Sequence, residues 1–317
     1  MRPFSELLAD NILDAIDAIG LPTDGRMIAL NSYENRVYQI GIEDSQPIVA
    51  KFYRPERWSD EQILEEHQFS QELFEAELPV VAPMAIDGET LHHIDGWRIA
   101  LFERKGGRSP DLGRRDDLQM LGRLMARMHL VAERHTFQHR PVVDIESYFE
   151  IPTSRLIAEH IPAHLCPQFE TAFDTLRQQF NDKLTQSKWP QSIRLHADAH
   201  PGNLLERDGE IHMVDLDDCR SGPAVQDLFL FAGGHDDTES RAAWDAILDG
   251  YYEFRDFDYG ELQWVEVLRT LRYSHYLGWL ASRQADPTFI TAFPDYDTEP
   301  FWQRWLGLFN EQCLKLS

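Results

Sequence analysis

The 317-residue chain is long enough for about two folding units of some 150 residues each, and its 43% hydrophobic content supports an ordinary buried core. A net charge of −24 argues against a nucleic-acid partner, because phosphate backbones are held by Lys and Arg; it fits a solvated surface or one that recruits basic proteins. Cys166, Cys219 and Cys313 are far apart and show no CxxC spacing, which argues against a disulfide framework or a zinc site. Apolar runs fall short of the ~20 residues that cross a bilayer. The first residues pass into an amphipathic pattern without the apolar core of a signal peptide, so a cytoplasmic location is expected.

In chain order, Leu7, Leu8, Ile12, Ala15, Ile16 and Ile19 share a helical face over 5–19, and Gly20 ends it. Strand-like pieces follow at 27–30 and 36–42, flanking a polar turn, and at 47–53, where apolar side chains alternate. Ser59-Asp60-Glu61-Gln62 is a capping box, with Trp58 placed to staple against Ile63. Its helix should turn Ile63, Leu64, Phe69, Leu73 and Phe74 inward. Strands near 90–93 and 97–102 precede a short polar stretch with two glycines, 103–108. That stretch sets the expected boundary between a nucleotide-binding lobe, 1–103, and a helical lobe, 104–317. Helices are expected near 115–131, 165–184, 239–256, 261–283 and 301–315, with a β-rich insert at 196–218. The expected class is therefore α+β, a protein-kinase-like two-lobed fold with a ligand cleft between a small β-rich lobe and a larger helical one.

The chemistry concentrates in Leu195-His196-Ala197-Asp198-Ala199-His200-Pro201-Gly202-Asn203 and in Val214-Asp215-Leu216-Asp217-Asp218. His-x-Asp-x-x-x-x-Asn has the spacing of a kinase catalytic loop. Asp198 can accept the proton of an attacking hydroxyl, the amide oxygen of Asn203 can bind Mg²⁺, and Asp215, after a following strand, can bridge metal and phosphates. Asp217 and Asp218 are open between further metal contacts and a solvated acidic loop. A metal-hydrolase cluster of His196, Asp198, His200 and Asp215 is the competing reading, but it gives Asn203 no role. Lys51, in Val49-Ala50-Lys51-Phe52, stands where a strand lysine meets the inner phosphates of ATP. Glu66 is its expected carboxylate partner, with Glu65 as the fallback. No Gly-x-Gly-x-x-Gly precedes Lys51; in its place the polar turn 31–35 offers backbone N–H groups and the Ser32 hydroxyl to phosphate.

These strings resemble the bacterial stress response kinase A family, of the aminoglycoside phosphotransferase and choline kinase superfamily, along nearly the whole chain. The most specific stretches are 30–39, 51–58, 63–69, 214–218 and 222–228. The resemblance implies a serine/threonine protein kinase of the stress response that uses ATP and Mg²⁺. It makes Asp198 the proton acceptor, Asn203 and Asp215 the metal ligands, and Ser32 a residue at the ATP phosphates. Phe102 and Glu103 would belong to a hinge whose backbone meets adenine. One departure stands out: Ala197 replaces the family's usual Gly, and a positive φ would be disfavoured there. A protein substrate, no nucleic acid, no membrane and a monomeric state are expected. The rival readings are a kinase for an amino alcohol, aminoglycoside or related metabolite, and a nucleotide-binding regulator without turnover.

Overall fold

A computed structural model describes residues 4–232 and 238–317 of the chain. A 3₁₀ turn at Phe4–Glu6 leads into α1 (Ala9–Ile19), β1 (Thr23–Ala29), β2 (Arg36–Ile42) and β3 (Ile48–Phe52). Next come α2 (Asp60–Glu75), β4 (His92–Ile94), β5 (Trp97–Glu103) and α3 (Arg115–Ala132). A π-turn at Glu146–Glu150 opens α4 (Ile151–Glu159), followed by α5 (Cys166–Gln186) and β6 (Ser192–Leu195). The rest is β7 (Leu204–Arg207), β8 (Glu210–Met213), β9 (Arg220–Pro223), α6 (Val225–Ala232), α7 (Thr238–Tyr252), α8 (Val265–Arg283), α9 (Phe289–Ala292) and α10 (Glu299–Lys315). Among the described residues no helix is long and apolar enough to cross a membrane.

The chain separates into two compact units. The first gathers Met1–Arg140, His196–Cys219 and Ala246–Arg255, and the second holds the remainder. The expected boundary at 103/104 falls inside the first unit.

The first unit is organised by an antiparallel sheet in the order β1-β2-β3-β5-β4. Strand periodicity sends alternate side chains to opposite faces. On one face Ile48, Ala50 and Phe52 of β3 and Ile99 and Leu101 of β5 pack with Ile12, Ile16 and Ile19 of α1. Each fully buried isoleucine contributes about 2 kcal/mol. Val49 and Lys51, on the alternate positions of β3, line a pocket instead. The Ser59 capping box forms as expected: its hydroxyl accepts the Gln62 N–H, and the Gln62 side chain accepts the Ser59 N–H. Trp58 packs beside Ile63.

Several boundaries differ from expectation. The first helix begins at Ala9, not 5, because the preceding residues form the 3₁₀ turn, and Leu8 is exposed. Strand β1 starts four residues early, at Thr23, through a register shift between Thr23 and Met27 around a left-handed Gly25. On α2, Ile63, Glu66, Phe69, Ser70 and Leu73 are buried, whereas Leu64 and Phe74 are exposed. Leu64 stands about 100° round the helix from Ile63. In the second unit β6 pairs with β9, and an aromatic core joins Phe149, Phe173 and Phe180 with Phe169, Trp302 and Phe309.

Candidate active site

Local backbone pairing holds the 196–203 loop against the strand that delivers Asp215. The buried His196 ring places Nε2 3.0 Å from the Val214 carbonyl, and the Val214 N–H donates to the Asn203 carbonyl at 3.0 Å. Met213, one residue earlier, is fixed by its N–H to the Pro79 carbonyl at 2.7 Å. Ala197 takes φ 64° and Asp215 φ 61°, both left-handed. Asn203 Nδ2 donates to the Asp198 carbonyl at 3.0 Å and to its Oδ2 at 3.3 Å. That turns the amide oxygen of Asn203 the opposite way. His200 accepts the Gly202 N–H on Nδ1 at 3.0 Å, which assigns the proton to Nε2, 3.4 Å from Asp198 Oδ2.

Lys51 is buried among acids. Its Nζ lies 2.9 Å from Asp217 Oδ1, 3.3 Å from Glu66 Oε1 and 3.4 Å from Asp215 Oδ1, with the Tyr53 ring 4.7 Å below. Burial opposes the charge on Lys51, but Asp217 and Glu66 outweigh it and hold the ammonium well above its ordinary pKa. Burial pushes Glu66 up to about 7 against the pull of Lys51. Asp217 is also buried, yet Arg57 and Lys51 bring it down to about 2. Glu65 does something else. Its carboxylate accepts the backbone N–H groups of Gln138, His139 and Arg140 at 2.5, 2.8 and 2.8 Å.

Asp217 is the nearest partner of Lys51, and the sequence left its role open. Arg57, which also grips it, was missed. Arg57 lies in one of the family-like strings, but nothing in spacing says which acid 160 residues on it will meet.

Ser32, Lys51, Glu66, Phe102, Glu103, Asn203 and Asp215 all line one pocket, wholly within the first unit. Its volume of about 310 Å³ lies within the roughly 300–1,000 Å³ range of small-molecule sites. Asp198 stands beside that lining, joined to it through Asn203.

The oxygens of Asn203 and Asp215 suit Mg²⁺, which is bound through one or two carboxylates while phosphates and water fill its other positions. The Asp215 side chain is 53% exposed and can turn toward such an ion. Among the described residues no three His, Cys, Asp or Glu side chains are grouped to hold a metal. The oxygens of Asn203 and Asp215 fit an ion that shares its coordination with phosphate, and among the described residues the His–carboxylate cluster of a hydrolase is not formed.

Residues 27–265 match the phosphotransferase enzyme family. The chain is similar to stress response kinase A of Escherichia coli strain K12, 42% identical over 99% of this chain and 95% of the relative. It is also similar to the serine/threonine protein kinase RdoA of Salmonella typhimurium strain LT2, 40% identical over 98% and 93%. Among solved structures, an amicoumacin kinase in complex with AMP-PNP, Ca²⁺ and Ami superposes with a TM-score of 0.74 at 19% identity, over 96% of this chain and 94% of that one. A microcompartment-associated aminopropanol kinase gives 0.68 at 20% identity, over 95% of each chain. At those identities the likeness is one of fold: this chain has the α+β architecture of these kinases.

Proposed function

Because the chain belongs to the phosphotransferase enzyme family and, within it, to the stress response kinase A proteins, it is an ATP-dependent phosphotransferase, and we propose that it phosphorylates Ser or Thr hydroxyls of a protein during stress. Segment 1–103 binds the nucleotide and 104–317 supplies the catalytic and metal-binding loops. Lys51, oriented by Glu66 and Asp217, meets the inner phosphates; the turn at Ser32 covers the outer ones. Backbone at Phe102 and Glu103 meets adenine. Asn203 and Asp215 hold Mg²⁺, which when bound neutralises charge on the phosphates. Asp198, held by Asn203 and His200, aligns the substrate hydroxyl and accepts its proton. The chain's own contribution is positioning and electrostatic preorganisation.

The observation that carries this reading is the convergence of Lys51, Asn203 and Asp215 on one pocket, with Asp198 hydrogen-bonded to its rim. On this reading the protein works where ATP is supplied, in the cytoplasm, and acts as a monomer. The test is transfer of radiolabelled γ-phosphate from ATP with Mg²⁺, comparing wild type with Asp198→Asn. Some reactions receive Ser/Thr-rich proteins, others amino alcohols and aminoglycosides. Label should enter protein and fall by about 10²-fold or more in the variant. Label on a small molecule alone would move the substrate class to metabolites; nucleotide binding without any ATP consumption would leave a regulator.

A further inference from the structure

The turn at 31–35 and the loop at 215–219 are far apart in sequence, and one largely covered side chain touches both. Arg57 spreads its guanidinium over three carboxylates: Nη1 on Asp217 Oδ2, Nη2 2.7 Å from Asp218 Oδ1, and Nε 3.4 Å from Glu34 Oε1. Asp217 gives its other oxygen to Lys51, which stands 3.4 Å from Asp215. A continuous chain of charges thus runs from Glu34, two residues beyond Ser32, to the candidate metal ligand. Behind it, the Trp58 ring lies 5.0 Å from the Arg57 guanidinium and 4.2 Å from that of Arg140. Arg140 donates to the backbone carbonyls of Asp217 and of Cys219, the latter at 2.7 Å.

We propose that Arg57 is a positioning residue for phosphoryl transfer, setting the Asp217 and Asp218 carboxylates so that Lys51 and Asp215 keep their working places, and tying the Ser32 turn to them. Arg140 secures the backbone of the acidic loop, so what Arg57 adds is control of its side chains. The planar fork of arginine reaches two carboxylates at once in fixed geometry, which the point charge of lysine does not. Without the guanidinium, the buried Asp217 would keep its ion pair with Lys51 but lose the one on its other oxygen, and Asp218 would lose the same cation. Both would repel the phosphates that the pocket receives, and Lys51 would be drawn away from them.

This assignment rests on the phosphotransferase reading of the pocket, so its test carries a control on that reading. Full-length wild type, Arg57→Lys, Arg57→Met and Asp215→Ala are compared by thermal unfolding, by calorimetric titration with Mg²⁺ and ADP, and by kcat and KM for ATP in the γ-phosphate assay. Arg57→Lys should unfold within a few degrees of wild type yet lose about 10-fold in kcat/KM for ATP. Arg57→Met should lose about 100-fold, with weakened ADP binding, as for other residues that orient a metal site from behind. Should Arg57→Met fail to fold, Asp218→Asn removes one arm at a partly exposed position and should lower ADP affinity in a folded protein. Unchanged KM, kcat and ADP affinity in Arg57→Lys and Asp218→Asn, with Asp215→Ala inactive, would overturn the assignment. So would a fall in unfolding temperature with unchanged kinetics per folded molecule. Full transfer by Asp215→Ala would instead overturn the pocket reading, and Arg57 with it.

Discussion

Ala197 holds a left-handed φ of 64° one residue before the candidate proton acceptor. A Cβ in that region costs roughly 1–2 kcal/mol, part of which is returned by the smaller entropy loss of alanine compared with glycine. The replacement of the family's glycine is legible in sequence; that the strain is present could be known only from the backbone. Ala197→Gly should raise unfolding free energy by up to about 1 kcal/mol, read from urea denaturation, and a loss of stability would remove the argument for strain. A second residue-scale effect sits behind Lys51. His67 is buried between Tyr53 Oη at 2.8 Å and Thr90 Oγ1 at 2.9 Å, and burial together with Lys51 lowers its pKa from 6.5 to about 3. Below pH 6.5 the unfolded chain takes up a proton that the folded one refuses, so stability present above that pH is lost as pH falls toward 3. The slope is at most about 1.4 kcal/mol per pH unit. His67→Gln should flatten the stability profile between pH 6.5 and 4; identical acid sensitivity in urea unfolding would show that His67 is not its source.

Helix α2 shows how one element serves both packing and chemistry. Its cap is written locally in Ser59 and Gln62, which is why its start was readable. Its inner face also carries Glu66 among apolar neighbours, and the sheet beneath brings this carboxylate to Lys51, as the sequence leads one to expect. Helix α3 has a similar dependence. A Cβ on Gly122 would lie 2.0 Å from the Ile247 carbonyl oxygen of α7, and one on Gly250 would lie 2.0 Å from that of Gln119. The two glycines let these backbones touch, which brings Ala246–Arg255 into the first unit. Gly122→Ala should destabilise by about 1–3 kcal/mol through overpacking, whereas an unchanged thermal midpoint would mean that the helices can separate without cost. Elements that were missed lack such local marks. The four-residue β6 and β9 exist by pairing with each other, and α6 buries Val225, Leu228, Phe229 and Ala232 with Gln226 and Asp227, leaving no polar face to reveal its period.

For the molecule as a whole, the net charge of −24 has to be reconciled with a triphosphate ligand. Within the first unit Lys51 and Arg57, with Arg140 behind, are set among the carboxylates at the pocket, so the local field there departs from the average surface. Binding to the folded state alone stabilises it by about 2.7 kcal/mol at a ligand concentration 100-fold above Kd. Mg²⁺ with ADP should therefore raise the thermal midpoint by several degrees, and the rise should shrink in Asp215→Ala. An equal rise in both proteins by scanning calorimetry would place the nucleotide elsewhere.

The sequence alone determined which residues make up the candidate site and their order, because His-x-Asp-x-x-x-x-Asn, a later Asp and a strand lysine are read from short spans of chain. It also determined the family, the capped helix and most strands, since caps and side-chain alternation are local. Three matters were decided by tertiary structure: that Asp217 is the nearest partner of Lys51, that Glu65 ties down a turn, and that Arg57 bridges two distant segments. Each depends on which charges are desolvated together, and burial is a property of the packed chain that no spacing of residues encodes.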